Sequence, residues 1–132
     1  NKWTTFQSNE QECPDGVVDL AADMNNTIWI GLSGNPPNGK IIPRIGGLYT
    51  IKNNKIAKAN LSIPYEDIFD LYIEDDNTVW VGTSVGFYSG QFSEQFKFRY
   101  GGSIFSSCKD QKGNLWIGTN DNGIVKYKKW KN

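Results

Sequence analysis

Three near copies of one short strand stand in this chain: Thr27-Ile28-Trp29-Ile30-Gly31-Leu32, Thr78-Val79-Trp80-Val81-Gly82-Thr83 and Asn114-Leu115-Trp116-Ile117-Gly118-Thr119. A recurring motif restricts the fold more than any composition does. Each repeat has to be one supersecondary unit that buries its apolar side only against its neighbours. The interval from Trp29 to Trp80 is longer than that from Trp80 to Trp116, and the excess sits in one Pro-containing stretch, Ser33 to Ile45. That stretch reads as a loop insertion in a preserved period.

The same order of parts surrounds each Trp. A strand ending in an acidic residue comes first: Val17 to Asp23, Ile68 to Glu74, Ile104 to Asp110. A turn follows, made from Met24-Asn25-Asn26, Asp75-Asp76-Asn77 or Gln111-Lys112-Gly113, residues that tolerate positive φ or bond to their own backbone. After the Trp strand a glycine opens a third strand at Gly47, Gly86 and Gly123, and a fourth is expected at Lys55 to Asn60 and Gln95 to Tyr100. Four short antiparallel strands repeating at about 40 residues are the unit of a β-propeller.

The expected fold is therefore all-β: residues 1–132 form a single propeller segment of three repeats, centred on Trp29, Trp80 and Trp116. The last unit has little fourth strand of its own, while Lys2 to Phe6 reads as a fourth strand with no blade before it. Known rings use about four to eight blades, so three are too few. Either two chains close a six-bladed ring, residues 2–6 of each completing the last blade of the other, or the segment belongs to a larger propeller. A homodimer through strand exchange is the preferred expectation, because an open wedge would expose two apolar faces.

Composition removes several function classes. Lys plus Arg and Asp plus Glu balance at 14 each. No single-sign field exists to draw in a nucleic acid or an anionic membrane. No apolar run approaches the roughly 18 residues that span a bilayer, so no membrane insertion by this segment is expected. Asn rather than Met at position 1 reads as a processed or trimmed product. The chain has no His, which excludes Ser/His/Asp and Cys/His nucleophile pairs and His-bearing zinc sites. Cys13 and Cys108 do not form a metal pair. An intersubunit disulfide between them would need them to meet across the ring seam. No metal, no cofactor and no catalytic residue are expected.

The pattern Asp110-x-x-Gly113-Asn114-Leu115-Trp116-Ile117-Gly118-Thr119, followed by Gly123-Ile124 and Tyr127, resembles the two-component regulator propeller repeat. So does the opening Trp3-Thr4-Thr5-Phe6 with Asp15-Gly16 and Val18. The chain departs from that repeat at Leu32, in the Ser33 to Ile45 insertion and at Asp76-Asn77-Thr78. In that family the repeats build extracytoplasmic sensors of bacterial hybrid two-component systems, many tied to polysaccharide use. The resemblance implies a periplasmic or extracellular, non-catalytic module that binds a small molecule or glycan and relates to two-component signalling. A protein interaction scaffold or an oligomeric lectin-like protein is the alternative reading, and a carboxylate-dependent glycan-cleaving enzyme the remotest.

The three Trp residues are expected in the core rather than as sugar platforms, since both faces of their strands would be covered by neighbouring blades. The acidic turns lack the calcium loop's length and its final Glu, and read as hairpin chemistry. Asp19, Asp70 and Ser106 fall at equivalent places in the first strands. They are expected to hold neighbouring strands by hydrogen bonds. Ligand binding is expected on the rim where fourth strands lead into first and second into third, because scaffolded loops carry most binding groups. The residues named there are Arg44, Tyr65, Glu66, Arg99, Tyr100 and Asp121, for stacking and hydrogen bonding.

Overall fold

The computed structural model describes residues 1–6, 16–32, 47–59, 67–91 and 94–128. Among them are eleven strands in three antiparallel sheets and no helix. The first blade is β1 (Val17–Ala22), β2 (Ile28–Leu32), β3 (Gly47–Lys52) and β4 (Lys55–Lys58), in that spatial order. The second is β5 (Ile68–Ile73), β6 (Val79–Thr83), β7 (Gly86–Gly90) and β8 (Lys97–Gly101). The third has three strands, β9 (Ile104–Lys109), β10 (Leu115–Thr119) and β11 (Ile124–Tyr127). The propeller architecture read from the repeat is the observed one. Residues 1–6 carry no strand, and Trp3 is 97% exposed.

Each blade is built by local chemistry that repeats. The turn between first and second strands closes with Asn26 N–H donating to Asp23 O, Asn77 N–H to Glu74 O and Gly113 N–H to Asp110 O. The donors in these bonds have φ of 61°, 66° and 86°, values that Asn and Gly accept at least cost. The β3–β4 hairpin turns on Asn53 and Asn54, at φ 51° and 62°. Two consecutive left-handed residues make the turn whose twist matches the strands it joins. A bulge recurs in every first strand, between Val17 and Asp19, Ile68 and Asp70, and Ile104 and Ser106. The residue it skips leaves the ladder; two of these, Phe69 and Phe105, meet with ring centroids 5.2 Å apart.

The first strands lie side by side, β1 against β5 and β5 against β9, so the blades stack in chain order. Period-two alternation sends the two sides of each strand into different seams. Trp29 and Leu48 face forward into one cluster with Ile68, Leu71, Val79, Val81, Tyr88 and Phe96 of the second blade. Trp80 and Phe87 face forward into another with Ile104, Leu115 and Ile117 of the third. A smaller cluster, Ile30, Leu32 and Tyr49, lies on the backward face of the first blade. Glycine in the Trp strand is set by this stacking. A Cβ at Gly31 would come within 2.7 Å of Ile68 Cγ2, and one at Gly82 within 3.0 Å of both Ile104 Cγ2 and Ile104 O. The expectation of a wholly buried Trp ring holds for Trp29 and Trp80, at 1% and 4% exposure, and not for Trp116, which is half-buried. Its ring faces forward from the third blade, where no further blade stands among the described residues.

Candidate functional site on the propeller rim

Among the described residues, hydrogen bonds tie two pairs of loops together at the expected rim. Ser84 N–H donates to Asp67 O at 3.2 Å, and Asn120 N–H donates to Ser103 O at 3.0 Å. Each bond ties a second-to-third turn to the segment entering the first strand of its own blade. The turn in the third blade is shaped by Thr119. Its hydroxyl donates to Gly123 O at 2.9 Å and accepts from Asn122 N–H at 2.8 Å. Thr83 does the same in the second blade, donating to Gly86 O at 2.7 Å and accepting from Val85 and Gly86 N–H. A threonine that satisfies the turn leaves Asn120, Asp121 and Asn122 exposed to solvent.

Arg99 and Tyr100 stand inside β8, at the rim end of the fourth strand expected from Gln95 to Tyr100. The pairing of β7 with β8 shifts between Phe87 and Tyr88, which pair with Tyr100 and Phe98 and leave Arg99 over. A bulge of this kind puts two successive residues on one side of the sheet. Both therefore turn toward the third blade. Arg99 Nε–H donates to Ser89 Oγ at 2.8 Å, and its guanidinium carbon lies 6.0 Å from the centre of the Trp80 ring. Tyr100 packs at the edge of the second cluster, half-buried, and its hydroxyl accepts from Asn122 Nδ2 at 3.1 Å.

Of the six residues named from sequence, the structure brings Tyr100 and the Asp121 loop together at the seam between the second and third blades. Arg99 is committed to Ser89 and Trp80 in the same seam. Arg44, Tyr65 and Glu66 lie outside the described residues, as does Cys13. Asn122 is the residue that links loop to strand. Its neighbours Asn120 and Asp121 gave the sequence signal for the loop, but nothing in the sequence distinguished Asn122 from them. Ser89 carried no signal except its parity with Phe87.

On the inner strands, carboxylates hold blades together as expected. Asp19 accepts from Leu71 N–H across the first seam at 2.9 Å, and Asp70 accepts from the Ser107 hydroxyl across the second. The expected third member, Ser106, is not the residue used. Its place corresponds to Asp19 and Asp70, which face forward, so in the third blade it points to the open side. Ser107 points back to Asp70. Burial pushes the Asp70 carboxyl from its ordinary 3.8 up to about 6, the Ser107 hydrogen bond pulling it down and the Asp19 carboxylate pushing it further up. Among the described residues no group of three or more Cys, Asp or Glu side chains could hold a metal ion. Cys108 is exposed and free.

Gly101 through Asp121 run from the end of β8 through β9, the acidic turn and β10 into the rim loop. These residues, 101–121, match the family model described as two component regulator propeller. The match takes in β9 and β10 of the third blade. No curated protein matches the chain. Two component regulator propellers are generally non-catalytic and typically extracytoplasmic. No helix among the described residues is long and apolar enough to cross a membrane.

Proposed function

We propose that the chain is a non-catalytic, extracytoplasmic sensing segment that binds a small polar ligand, a glycan fragment, on the rim between the second and third blades. The observation that carries this reading is the Asn122 to Tyr100 hydrogen bond. It sets an aromatic ring beside an exposed loop of two amides and a carboxylate. A sugar presents an apolar face for stacking and hydroxyls at its edge that both donate and accept. Tyr100 supplies the first kind of contact, Asp121 and Asn122 the second. The inner carboxylates are less suited to chemistry, because Asp19 and Asp70 are each engaged in joining neighbouring inner strands. The family match over residues 101–121 is what supports a role in signal relay through a two-component system.

The test is a panel of bacterial, plant and host oligosaccharides read by titration calorimetry. Wild type should bind a member of the panel, and Asp121→Ala, Asn122→Ala or Tyr100→Ala should each weaken that affinity about tenfold or more without altering the circular dichroism spectrum. Absence of any glycan binder, together with a protein captured by the same rim and lost on Asp121→Ala, would replace this reading with the scaffold one.

A further inference from the structure

Polar and aromatic contacts cross the seam between the second and third blades from rim to rim. On the outer side Trp80 meets Tyr127 with ring centroids 5.4 Å apart. At the binding rim Asn122 Nδ2 donates to the Tyr100 hydroxyl at 3.1 Å. Toward the opposite rim Lys109 Nζ meets Glu74 Oε1 at 3.4 Å. On the inner strands the Ser107 hydroxyl and backbone N–H both donate to the Asp70 carboxylate. The first seam has a matching inner contact, from Leu71 N–H to Asp19.

Asp70 stands in an unfavourable place for a charge. Its side chain is buried, and a Cβ on Gly82 would lie 3.2 Å from Asp70 Cβ and 3.0 Å from Ile104 O, so the strands pack tightly at its base. Among the described residues, β2 and β6 bring no charged side chain to β5. From β1 comes Asp19, a like charge whose carboxylate accepts from the amide next to Asp70. From β9 come Ser107, the exposed thiol of Cys108, and Lys109, which is paired with Glu74. Tyr72 is the other titratable group of β5 itself. Hydrogen bonds rather than a cation therefore hold the Asp70 carboxylate, and a charge buried in this way opposes closure of the seam around it.

We propose that the second seam is a proton-controlled joint between the blade that carries Tyr100 and the blade that carries Asn122, closing more firmly with Asp70 neutral and loosening when Asp70 is a carboxylate. Opening the seam hydrates the carboxyl and returns its pKa to the ordinary 3.8, whereas the closed seam holds it at about 6. Well below 3.8 the group is neutral in both states. From there to about 6 the closed seam alone keeps the proton, so closure weakens as pH rises through this range and stays weaker above it. This inference is independent of the ligand reading.

Amide hydrogen exchange, followed by NMR on the whole chain between about pH 4.5 and pH 7 and corrected for the intrinsic pH dependence of exchange, tests it. The Ser107 amide reports the inner contact of the second seam, and the amides of β2 and β3 report the first blade. Protection at Ser107 should fall about tenfold or more from the lower pH to the higher, and at pH 7 should be less than that of β2 and β3. Asp70→Asn, which keeps an acceptor and carries no charge, should remove this change with pH. If that variant folds poorly, Asp19→Asn serves: without the facing charge, the loosening should be smaller and complete at a lower pH. The proposal is overturned if Ser107 protection is the same at both ends of the range, if it changes as much in Asp70→Asn, or if it equals that of β2 and β3 at every pH, which would leave global unfolding as the sole opening.

Discussion

Trp80 and Trp116 occupy the same position of the same repeat, and their surroundings differ in burial, in ring stacking and in hydrogen bonding. Trp80 is 4% exposed, stacked on Phe87 with centroids 5.1 Å apart and planes at 22°, and tilted against Tyr127 of the next blade. Its Nε1–H is buried and finds no acceptor among the described residues. Trp116 is half-buried, donates to Asp110 Oδ2 at 2.9 Å, and has Lys126 Nζ 5.3 Å from its ring centre. Apolar burial of a large ring contributes more than one hydrogen bond, so the covered blade tolerates a lost bond that the uncovered blade keeps. The difference begins one methylene away. Asp110 and Asp23 both reach their Trp, whereas Glu74 at the equivalent place sends Oε1 to Lys109 at 3.4 Å.

Truncating the two rings should separate them most. Trp80→Ala removes a packed ring from a closed seam and should cost about 3–5 kcal/mol, while Trp116→Ala on the open face should cost about 1–2 kcal/mol. Chemical denaturation of the two variants measures the gap. Equal losses would mean that the two rings are covered to the same extent in solution.

The next contrast is between Asp70 and its counterpart Ser106, one in a closed seam and one on the open face. The folded-state pKa of Asp70 is raised, from 3.8 to about 6. Between those values the folded chain holds a proton that the unfolded chain has released, so stability falls as pH rises toward 6 and stays reduced above it. Asp70→Asn keeps an acceptor for Ser107 and should stabilise the fold at pH 7 by about 1–2 kcal/mol, after allowance for partial solvent contact. At pH 4 the gain should disappear. A stabilisation independent of pH would show that repulsion and burial of the charge are not its cause.

How far this was legible in the sequence follows from the same residues. The Trp strands, their glycines and the acidic turns are local patterns, and they located every first and second strand within a residue or so. Exposure of Trp116 was not legible, because the motif around it is the best match to the repeat and carries no mark of the missing neighbour. The fate of Arg99 depended on one extra residue in β8, which no composition signals. Ser107 rather than Ser106 was decided by which face of β9 meets the second blade. In each case the local element was read and the side it turned to a neighbour was not.

Exchanging the acidic residue tests whether the second blade merely lacks its hydrogen bond or has no room for it. Glu74→Asp should let the carboxylate meet Trp80 Nε1–H as in the other two blades, a gain of about 1 kcal/mol, set against the loss of a half-exposed Lys109 pair worth about 0.5 kcal/mol or less. The net is a small stabilisation, read by denaturant midpoint with a change in Trp80 emission. A destabilised variant would mean that the longer side chain and its lysine are what the second seam requires.

The smallest effect expected is at Lys126, whose ammonium covers the outer face of Trp116. The corresponding residue of the second blade is Ser89, which is 2% exposed and accepts from Arg99. Both rings therefore have a cation nearby, Arg99 reaching Trp80 from the outer strand and Lys126 reaching Trp116 from within the third strand, where β11 is the edge among the described residues. Lys126→Gln removes that charge from a partly solvated ring and should cost about 0.5 kcal/mol. Chemical denaturation of the variant measures this, and an unchanged midpoint would show that the ammonium contributes nothing to holding Trp116.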